Sequence, residues 1–566
     1  MHAVGLQEKA VEHFRRPRER PFTAEERDRV TILFGGLTWK HERLIQAVFR
    51  GCGYRCQMLP NPDLAAFQIG KEYGNNGQCN PTYFTVGNLI QFLRSLEAQG
   101  LSRQEILDGY VFFTAGSCGP CRFGMYESEY RMALENAGFG GFRVLLFQQD
   151  HGIKAASGSP GLKFSVDLGM GALNALNLGD VLNDLVYQIR PYETVPGMTD
   201  QAMQEVVDQL SDFLENRKHY EVLERTPAWI SERLARNKKL KDIFNTLGKV
   251  LDHLYAEDFR GVMHRACMRL NQVKVDRMRV KPIVTITGEF WAQLTEGDGN
   301  FNMFTFLEQE GAQVHIEPIG CWITYLLYEA RANAEARKGL DASYSNPRWW
   351  EWRMRLANER KFRRKWLLLR LSEAIWRRQY ARTARHLGRL THALVPQTEL
   401  ARLAHPFYHS LARGGEGHLE VGKNVYYTTH GLCHMVLALK PFGCLPSSQS
   451  DGVQSAVVNR FRDMIFLPIE TSGEGEINAH SRVQMALGEA KFKAKTEFEQ
   501  AMACTGKKLD EIKIYVAEHR ELRSPFYPVP RHRGIAGVAA NFVLHVSNLM
   551  DGRARLARSP SVIRAA

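Results

Sequence analysis

The chain has 566 residues and a formal net charge of +13 at neutral pH, with ordinary contents of apolar residues, glycine and proline. This length exceeds one hydrophobic core and predicts two to four domains. The charged start of the chain lacks the apolar centre of a signal peptide, and no uninterrupted run of about 18 apolar residues follows, so we expect a cytoplasmic protein without a membrane-spanning segment.

After a charged lead-in over residues 1–28, short apolar runs alternate with helical patterns through residues 29–170. The run at 30–36 ends in two glycines and is typical of a buried parallel strand. Further strands are predicted at 54–59, 109–115 and 142–147, and helices at 41–50, 81–99 and 122–137. This alternation predicts a first Rossmann-like domain, in which ligands bind at the carboxyl ends of the strands.

Residues 171–280 have the periodicity of helices with charged outer faces. The strand pattern then resumes, and we predict a second Rossmann-like domain formed by residues 281–340 and 418–520. Its strands are predicted at 283–289, 313–316, 425–430 and 464–470, and its helices near 303–310 and 477–502. The fold class is therefore α/β, with two doubly wound domains and helical insertions, and the tail 521–566 is expected to wrap the surface.

The positive charge is concentrated in an insertion between residues 341 and 417. Residues 348–389 contain fourteen Lys or Arg against three Glu, whereas the rest of the chain is nearly neutral. The pattern predicts one or two long amphipathic helices with a solvated basic face. A docking surface for an acidic partner or an anionic ligand is the sharper alternative. Nucleic-acid binding is disfavoured because no recognised module accompanies the charge.

Ten cysteines in a cytosolic chain do not indicate disulfides, and most fit buried apolar positions. The informative cysteines lie in turns rich in Gly and Pro. Cys79 precedes a helix, Cys118 and Cys121 lie between a predicted strand and a helix, and Cys444 occupies a third such turn. Helix N-termini lower thiol pKa and donate hydrogen bonds to anionic sulfur.

Three kinds of chemistry fit Cys118-x-x-Cys121: a redox-active pair, half of a zinc site, or ligands of an iron–sulfur cluster. Zinc would require a second close pair, and the adjacent Cys433 and His434 are poorly spaced for that. A redox pair would require a thioredoxin-like order of elements. A cluster held by Cys79, by Cys118 or Cys121, and by Cys444 uses all three turns, and we favour it.

Candidate acid–base residues are weaker. His41, Glu72 and His151 are the titratable residues nearest in sequence to strand ends or cysteine turns. Each is more readily explained as a hydrogen-bonded structural side chain than as a catalytic group.

Four motifs together resemble the 2-hydroxyacyl-CoA dehydratase and benzoyl-CoA reductase superfamily, in particular the branch related to, or fused with, the dehydratase activator. They are GGLTWKHE (35–42), GKEYGNNGQCNPT (70–82), GPCRFG (119–124) and PFGCLP (441–446). The resemblance covers residues 28–320 and 420–500, and leaves the basic insertion and the tail outside it.

The resemblance implies an oxygen-sensitive [4Fe–4S] or [8Fe–9S] double-cubane cluster between the two domains, with three cysteines for each cubane. It matches Cys79, Cys118 or Cys121, and Cys444 to that set, and adding Cys321 and Cys433 would supply six candidates for a double cubane. It also implies that a separate ATP-hydrolysing iron–sulfur activator delivers the electron. The chain lacks a Gly-x-x-x-x-Gly-Lys-Ser/Thr loop, so ATP is expected only through that partner.

The predicted function is thus the electron-accepting catalytic component of an ATP-dependent, low-potential reductase or 2-hydroxyacyl-CoA dehydratase system, as a homodimer or heterodimer. Its substrate would be a small molecule or an acyl-CoA. Two alternatives remain open: a non-catalytic iron–sulfur scaffold or electron carrier, and a protein that uses its basic helices to bind an anionic polymer.

Overall fold

The computed structural model describes residues 19–116, 121–148, 161–217, 226, 238–340, 348–412 and 415–556. It contains two parallel sheets of four strands each, surrounded by helices, which confirms the predicted α/β class. The first sheet consists of β1 (Thr31–Phe34), β2 (Arg55–Met58), β3 (Tyr110–Gly116) and β4 (Arg143–Gln148). The second consists of β5 (Ile283–Gly288), β6 (Gln313–Ile316), β7 (Met435–Pro441) and β8 (Phe466–Thr471).

The two sheets share one topology. Their strand orders are β2-β1-β3-β4 and β6-β5-β7-β8, and all paired strands are parallel. The order reverses between β1 and β3 in one sheet and between β5 and β7 in the other. Loops that leave neighbouring strands at such a point diverge and open a crevice at the carboxyl edge of the sheet.

The helices follow the strands closely in the sequence. The first sheet carries α1 (Trp39–Gly51), α2 (Leu64–Tyr73), α3 (Asn80–Ala98), α4 (Arg103–Gly109) and α5 (Tyr126–Asn136). A helical segment follows with α6 (Val166–Ile189), α7 (Met198–Glu215), α8 (Lys238–Tyr255) and α9 (Glu257–Leu270). Around the second sheet lie α10 (Phe290–Leu294), α11 (Met303–Gln309), α12 (Ile319–Ala336), α13 (Trp352–His386), α14 (Gln397–Ala404), α15 (Leu419–Thr429), α16 (Leu445–Arg460), α17 (Glu476–Thr505), α18 (Leu509–Glu518) and α19 (Val538–Met550).

The strand predicted at residues 425–430 is wrong. These residues form the last part of α15, and the strand of that region, β7, begins at Met435. Val425, Tyr426 and Tyr427 favour strands intrinsically, but Val421 and Val425 share a buried helical face at i, i+4 spacing. Tertiary packing therefore overrides the local propensity.

The tail does more than wrap the surface. Its helix α19 is largely buried, and Phe542, Val543 and Val546 form a core with residues of α17 and α18. The polar residues that interrupt its apolar pattern are hydrogen-bonded: Asn541 donates to the carbonyl O of Ile535, and His545 lies 3.0 Å from the Tyr527 hydroxyl. A buried helix can carry such residues when their polar atoms have partners.

The basic stretch of the insertion, residues 348–389, contains one long helix, α13. Its C-terminal part is buried at Trp376 and Tyr380, and it is tied to α12 by ion pairs between Arg331 and Glu373 (3.3 Å) and between Lys338 and Glu359 (2.8 Å). Across the described parts of the chain, no helix is both long enough and apolar enough to cross a bilayer.

Candidate functional site

Cys79 is the N-cap residue of α3 and is buried. Its Sγ lies 3.2 Å from the Thr82 hydroxyl and 3.2 Å from the Tyr126 hydroxyl. Pro81 at the start of α3 has no N–H to satisfy, which suits the first turn of a helix. The thiol is thus fixed at the positive end of a nineteen-residue helix and contacts two hydroxyl groups.

Cys121 follows β3 and is the N-cap residue of a short 3-10 turn, Arg122–Met125, that leads into α5. Arg122 donates a hydrogen bond to the carbonyl O of Gly77, so this turn is attached to the turn of Cys79. Burial, together with the nearby Glu416, Glu289 and Cys79, raises the pKa of the Cys121 thiol to about 12.

Cys444 follows β7 and is the N-cap residue of α16. It is buried, and burial together with Glu289 and Glu416 raises its pKa well above the ordinary value for a thiol. The preceding Gly443 has φ +76°, and a Cβ added there would lie 3.4 Å from the Cα of Cys79. This backbone contact brings the third cysteine turn, from the second sheet, against the first.

The two halves of the chain are in contact at these turns. The backbone N–H of Asn80 donates to the carbonyl O of Phe442. A Cβ on Gly415 would lie 2.5 Å from Pro446 and 3.9 Å from the Cβ of Cys121. These contacts bring the turns of Cys79, Cys121 and Cys444 together.

Two carboxyl groups accompany the three thiols. Glu289 follows β5, and its side chain accepts a hydrogen bond of 2.9 Å from the backbone N–H of Ala292. Glu416 is buried and accepts 2.8 Å from the backbone N–H of Phe290. Burial raises the pKa of Glu289 to about 6, and burial with the nearby Glu289 charge raises the pKa of Glu416 to about 8.

Acidic groups outnumber basic ones at this site. The ionisable side chains that shift the pKa of Cys121 and Cys444 are carboxyls and, for Cys121, the thiol of Cys79. Burying several acidic groups together disfavours their ionised forms unless a cation compensates. Three soft thiol ligands in such a place suit a thiophilic metal centre, and the helix N-termini favour anionic sulfur.

One cavity beside the site, lined by described residues, is small. A cavity of about 20 Å³ is lined by Glu416, Phe290 and Trp322, and by the ion-paired Glu317 and Lys423. That volume accommodates about one water molecule. It is too small for an acyl thioester.

Two further cysteines lie elsewhere. Cys433 precedes β7, whereas Cys444 follows it. The two ends of a strand of seven residues are about 20 Å apart. Cys433 is buried and forms a hydrogen bond with the Thr285 hydroxyl, and burial raises the pKa of its thiol to about 12. Because of this separation it cannot share a ligand set with Cys444.

Cys321 is buried near the start of α12. Burial raises its pKa far above the ordinary value, and Glu317 and Lys423 are the closest charges acting on it. No described contact joins it to Cys79, Cys121 or Cys444. The described residues thus bring together three of the six cysteines proposed as ligands, while Cys118 lies outside the described residues.

The predicted acid–base candidates do not converge on the thiols. His41 is fully buried, with Nδ1 2.7 Å from the Thr38 hydroxyl and Nε2 3.1 Å from Asp180. Asp180 in turn accepts the backbone N–H groups of Ile319 and Gly320 at the start of α12, so His41 positions an element rather than a substrate. Glu72 is exposed on α2, and His151 lies outside the described residues.

A second group of potential metal ligands is formed by Asp184, His315 and His392, whose ligand atoms lie within 4.8 Å of one another. Their hydrogen bonds are already used. Arg531 approaches Nε2 of His392 at 3.0 Å, and Nδ1 of His392 lies 2.9 Å from Asp184. Because Nε2 accepts from Arg531, Nδ1 carries the proton and donates to Asp184. A metal ion would have to displace these hydrogen bonds, so we assign the group of Asp184, His315 and His392 a structural role.

Sequence reasoning did not identify Glu289, Glu416 and Tyr126. Glu289 directly follows the glycine that ends β5, a signal that could have been used. Glu416 stands in a Gly-Gly-Glu-Gly run that resembles an ordinary loop, and Tyr126 is an aromatic residue on a helix. Only the fold places the last two beside the cysteines.

No family model matches the chain, and no curated protein and no solved structure matches it significantly.

Proposed function

We propose that Cys79, Cys121 and Cys444 hold a [4Fe–4S] cluster between two Rossmann-like domains, and that the chain is the electron-accepting catalytic component of an ATP-dependent, low-potential reductase or 2-hydroxyacyl-CoA dehydratase system. The observation that carries this proposal is the meeting of three cysteine turns from two parallel sheets, each at the start of a helix or helical turn. The repeated strand order supports the assignment of both domains.

The residues present fit such a cluster. The three cysteines form no disulfide, and the positive charge of an iron–sulfur core would offset part of the negative charge of three buried thiolates. Three thiolates would leave one iron without a protein ligand, and the bound cluster would supply one-electron chemistry at low potential. The placement of Cys433 and Cys321 favours a single cubane over a double one.

The chain's own groups have separate tasks in this proposal. The N-termini of α3 and α16 would stabilise anionic sulfur, and the Tyr126 hydroxyl, 3.2 Å from Sγ of Cys79, would donate a hydrogen bond to the thiolate. Glu416, whose pKa is raised to about 8, carries a proton at neutral pH and can hold it beside the thiols. The electron and the ATP would come from a separate activator, and the substrate would be a small molecule or an acyl-CoA.

The rival function is a non-catalytic electron carrier. It is favoured by the size of the cavity beside Glu416, which admits about one water molecule. Substrate turnover with an activator, ATP and reductant separates the two functions, because the carrier would be reduced without consuming any small substrate.

The cluster is tested by anaerobic purification, iron and acid-labile sulfide analysis, and EPR of the dithionite-reduced protein. We expect about four irons per chain in the wild type and in Cys433→Ala, and a loss of iron in Cys444→Ala and Cys121→Ala. Absence of iron after anaerobic reconstitution, or equal loss in Cys433→Ala, would contradict the proposed ligand set.

A further inference from the structure

The outward side of α13 carries an apolar seam. Leu368, Leu371 and Ile375 follow one another at steps of three and four residues, and Arg364 and Arg378 continue the same spacing at either end. Alternation of three and four is the heptad spacing by which one helix packs along another. The three apolar side chains are 53%, 53% and 45% exposed, although each belongs to a residue type that is usually buried.

The seam is bordered by positive charge that the chain itself does not neutralise. Arg360, Lys361, Arg364 and Arg378 are exposed and have no acidic partner among the described residues. By contrast, Arg363 and Arg377 on the same helix are paired with Glu359 and Glu373, at 2.7 and 3.0 Å. Among the cations of this helix without an acidic partner, Arg360, Arg364 and Arg378 lie on the side that carries the seam.

The opposite side of α13 is already engaged. Trp376 and Tyr380 are buried, and Glu373 binds Arg331 of α12. The helix is thus held on the protein by one side, while its seam faces outward. An exposed apolar patch with a charged border on a well-anchored helix is the usual form of a protein-docking surface.

We propose that this seam docks an acidic amphipathic helix of a partner protein. The partner's apolar residues would pack on Leu368, Leu371 and Ile375, and its flanking carboxylates would face Arg360, Arg364 and Arg378. The pairing is of the coiled-coil type, with charge selecting the partner and the apolar centre providing the affinity. It depends on α13 alone and needs no cluster.

Other occupants fit less well. A second copy would bring the same uncompensated cations against this face, which costs free energy. Nucleic acid would neutralise the arginines but has no apolar counterpart for three leucine-sized side chains. A lipid surface favours an apolar face with the charges to the sides, whereas here arginines interrupt the seam itself at both ends.

The probe is a labelled three-heptad peptide with Leu at the a and d positions and Glu at e and g, and its control is a peptide of equal composition in shuffled order. Fluorescence anisotropy measures binding to the full chain. We expect the ordered peptide to bind, and Leu371→Glu and Arg364→Glu each to weaken binding about tenfold or more. Ile477→Glu, at a residue 84% exposed on α17, and Arg355→Glu, at the exposed start of α13, should leave binding unchanged.

A charge-swap experiment distinguishes a specific loss of binding from a loss caused by misfolding of the variant. A peptide with Lys in place of Glu at e and g should bind Arg364→Glu better than it binds the wild type. The proposal would be overturned if the ordered peptide did not bind, or if it bound no better than the shuffled one. It would also be overturned by tighter binding to phosphatidylserine vesicles or to single-stranded DNA, or by a dimer in sedimentation that Leu371→Glu dissociates. Cys444→Ala should still bind the peptide, so a failure here is separate from a failure of the cluster.

Discussion

The backbone N–H of Asn80 donates a hydrogen bond of 3.2 Å to the carbonyl O of Phe442. Asn80 follows Cys79 at the start of α3, and Phe442 lies two residues before Cys444. This bond joins cysteine turns that are more than 350 residues apart in the sequence. The spacing of the proposed ligands therefore depends on how the two sheets dock, and not on either sheet alone.

Gly443→Ala should reduce iron binding. A Cβ at this position meets the backbone of Gln78 and Cys79 at 3.3 and 3.4 Å, and the φ of +76° is strained for alanine by about 1–2 kcal/mol. We expect less iron per chain after anaerobic reconstitution. Gly475→Ala is the matched control, since it has φ +90° and open space around the added Cβ. Equal iron loss in both variants would show that backbone strain, and not the contact with the Cys79 turn, causes the effect.

Tyr126→Phe should lower the reduction potential of the bound cluster. It removes the hydroxyl that lies 3.2 Å from Sγ of Cys79 while keeping the ring. A hydrogen bond to sulfur stabilises the more negative, reduced cluster, and about 0.5–1.5 kcal/mol corresponds to roughly 20–60 mV for one electron. Anaerobic redox titration followed by EPR measures the shift. Tyr130→Phe, one turn further along α5, should leave the potential unchanged, and an equal shift there would refute the assignment.

Glu42→Gln should flatten the dependence of stability on pH. Burial, more than the nearby Glu296, raises the pKa of Glu42 from 4.5 to about 8. The folded state therefore holds a proton that the unfolded state releases above about 4.5, and the wild type loses up to ~1.4 kcal/mol per pH unit as the pH rises toward 8.

Urea unfolding at pH 5 and pH 8 measures this effect. Glutamine mimics the protonated carboxyl, so the variant should be close to the wild type at pH 5 and more stable than the wild type at pH 8. A variant with the same pH slope as the wild type would show that Glu42 is ionised in the fold.

Asp184→Asn should destabilise the attachment of the tail. Burial alone would raise the pKa of Asp184, but His392 and its hydrogen bonds hold the pKa below the ordinary value, so the carboxylate is charged. Removing one buried charge from such a group of paired side chains lowers the free energy of unfolding by about 3–5 kcal/mol. Urea unfolding measures the loss. Asp208→Asn, which breaks an exposed ion pair with Arg43, should cost at most about 1 kcal/mol.

The same experiment distinguishes structure from metal binding at this site. If Asp184, His315 and His392 were metal ligands, zinc would raise the unfolding midpoint of the wild type and not that of Asp184→Asn. We expect zinc to leave both midpoints unchanged, because Arg531 occupies the lone pair of Nε2 on His392.

Strands were predicted correctly where a short run of neighbouring residues is clearly apolar. The runs that form β1, β5 and β6 are short, apolar and closed by turns, and a parallel strand buried on both faces requires such a pattern. The prediction failed at residues 425–430, where residues that favour strands pack as the end of α15. The helix forms there because of packing partners that lie far away in the sequence, and a short sequence segment does not contain them.

The sequence by itself determined the α/β class, the three cysteine turns and the helical character of the basic stretch, because each depends on residues that are close along the chain. Only the tertiary structure decided which side chains meet. It placed Cys79, Cys121 and Cys444 together, brought Glu289, Glu416 and Tyr126 beside them, and put Cys433 at the other end of β7. Contacts between distant turns follow from the docking of two sheets, and that docking is a property of the whole folded chain.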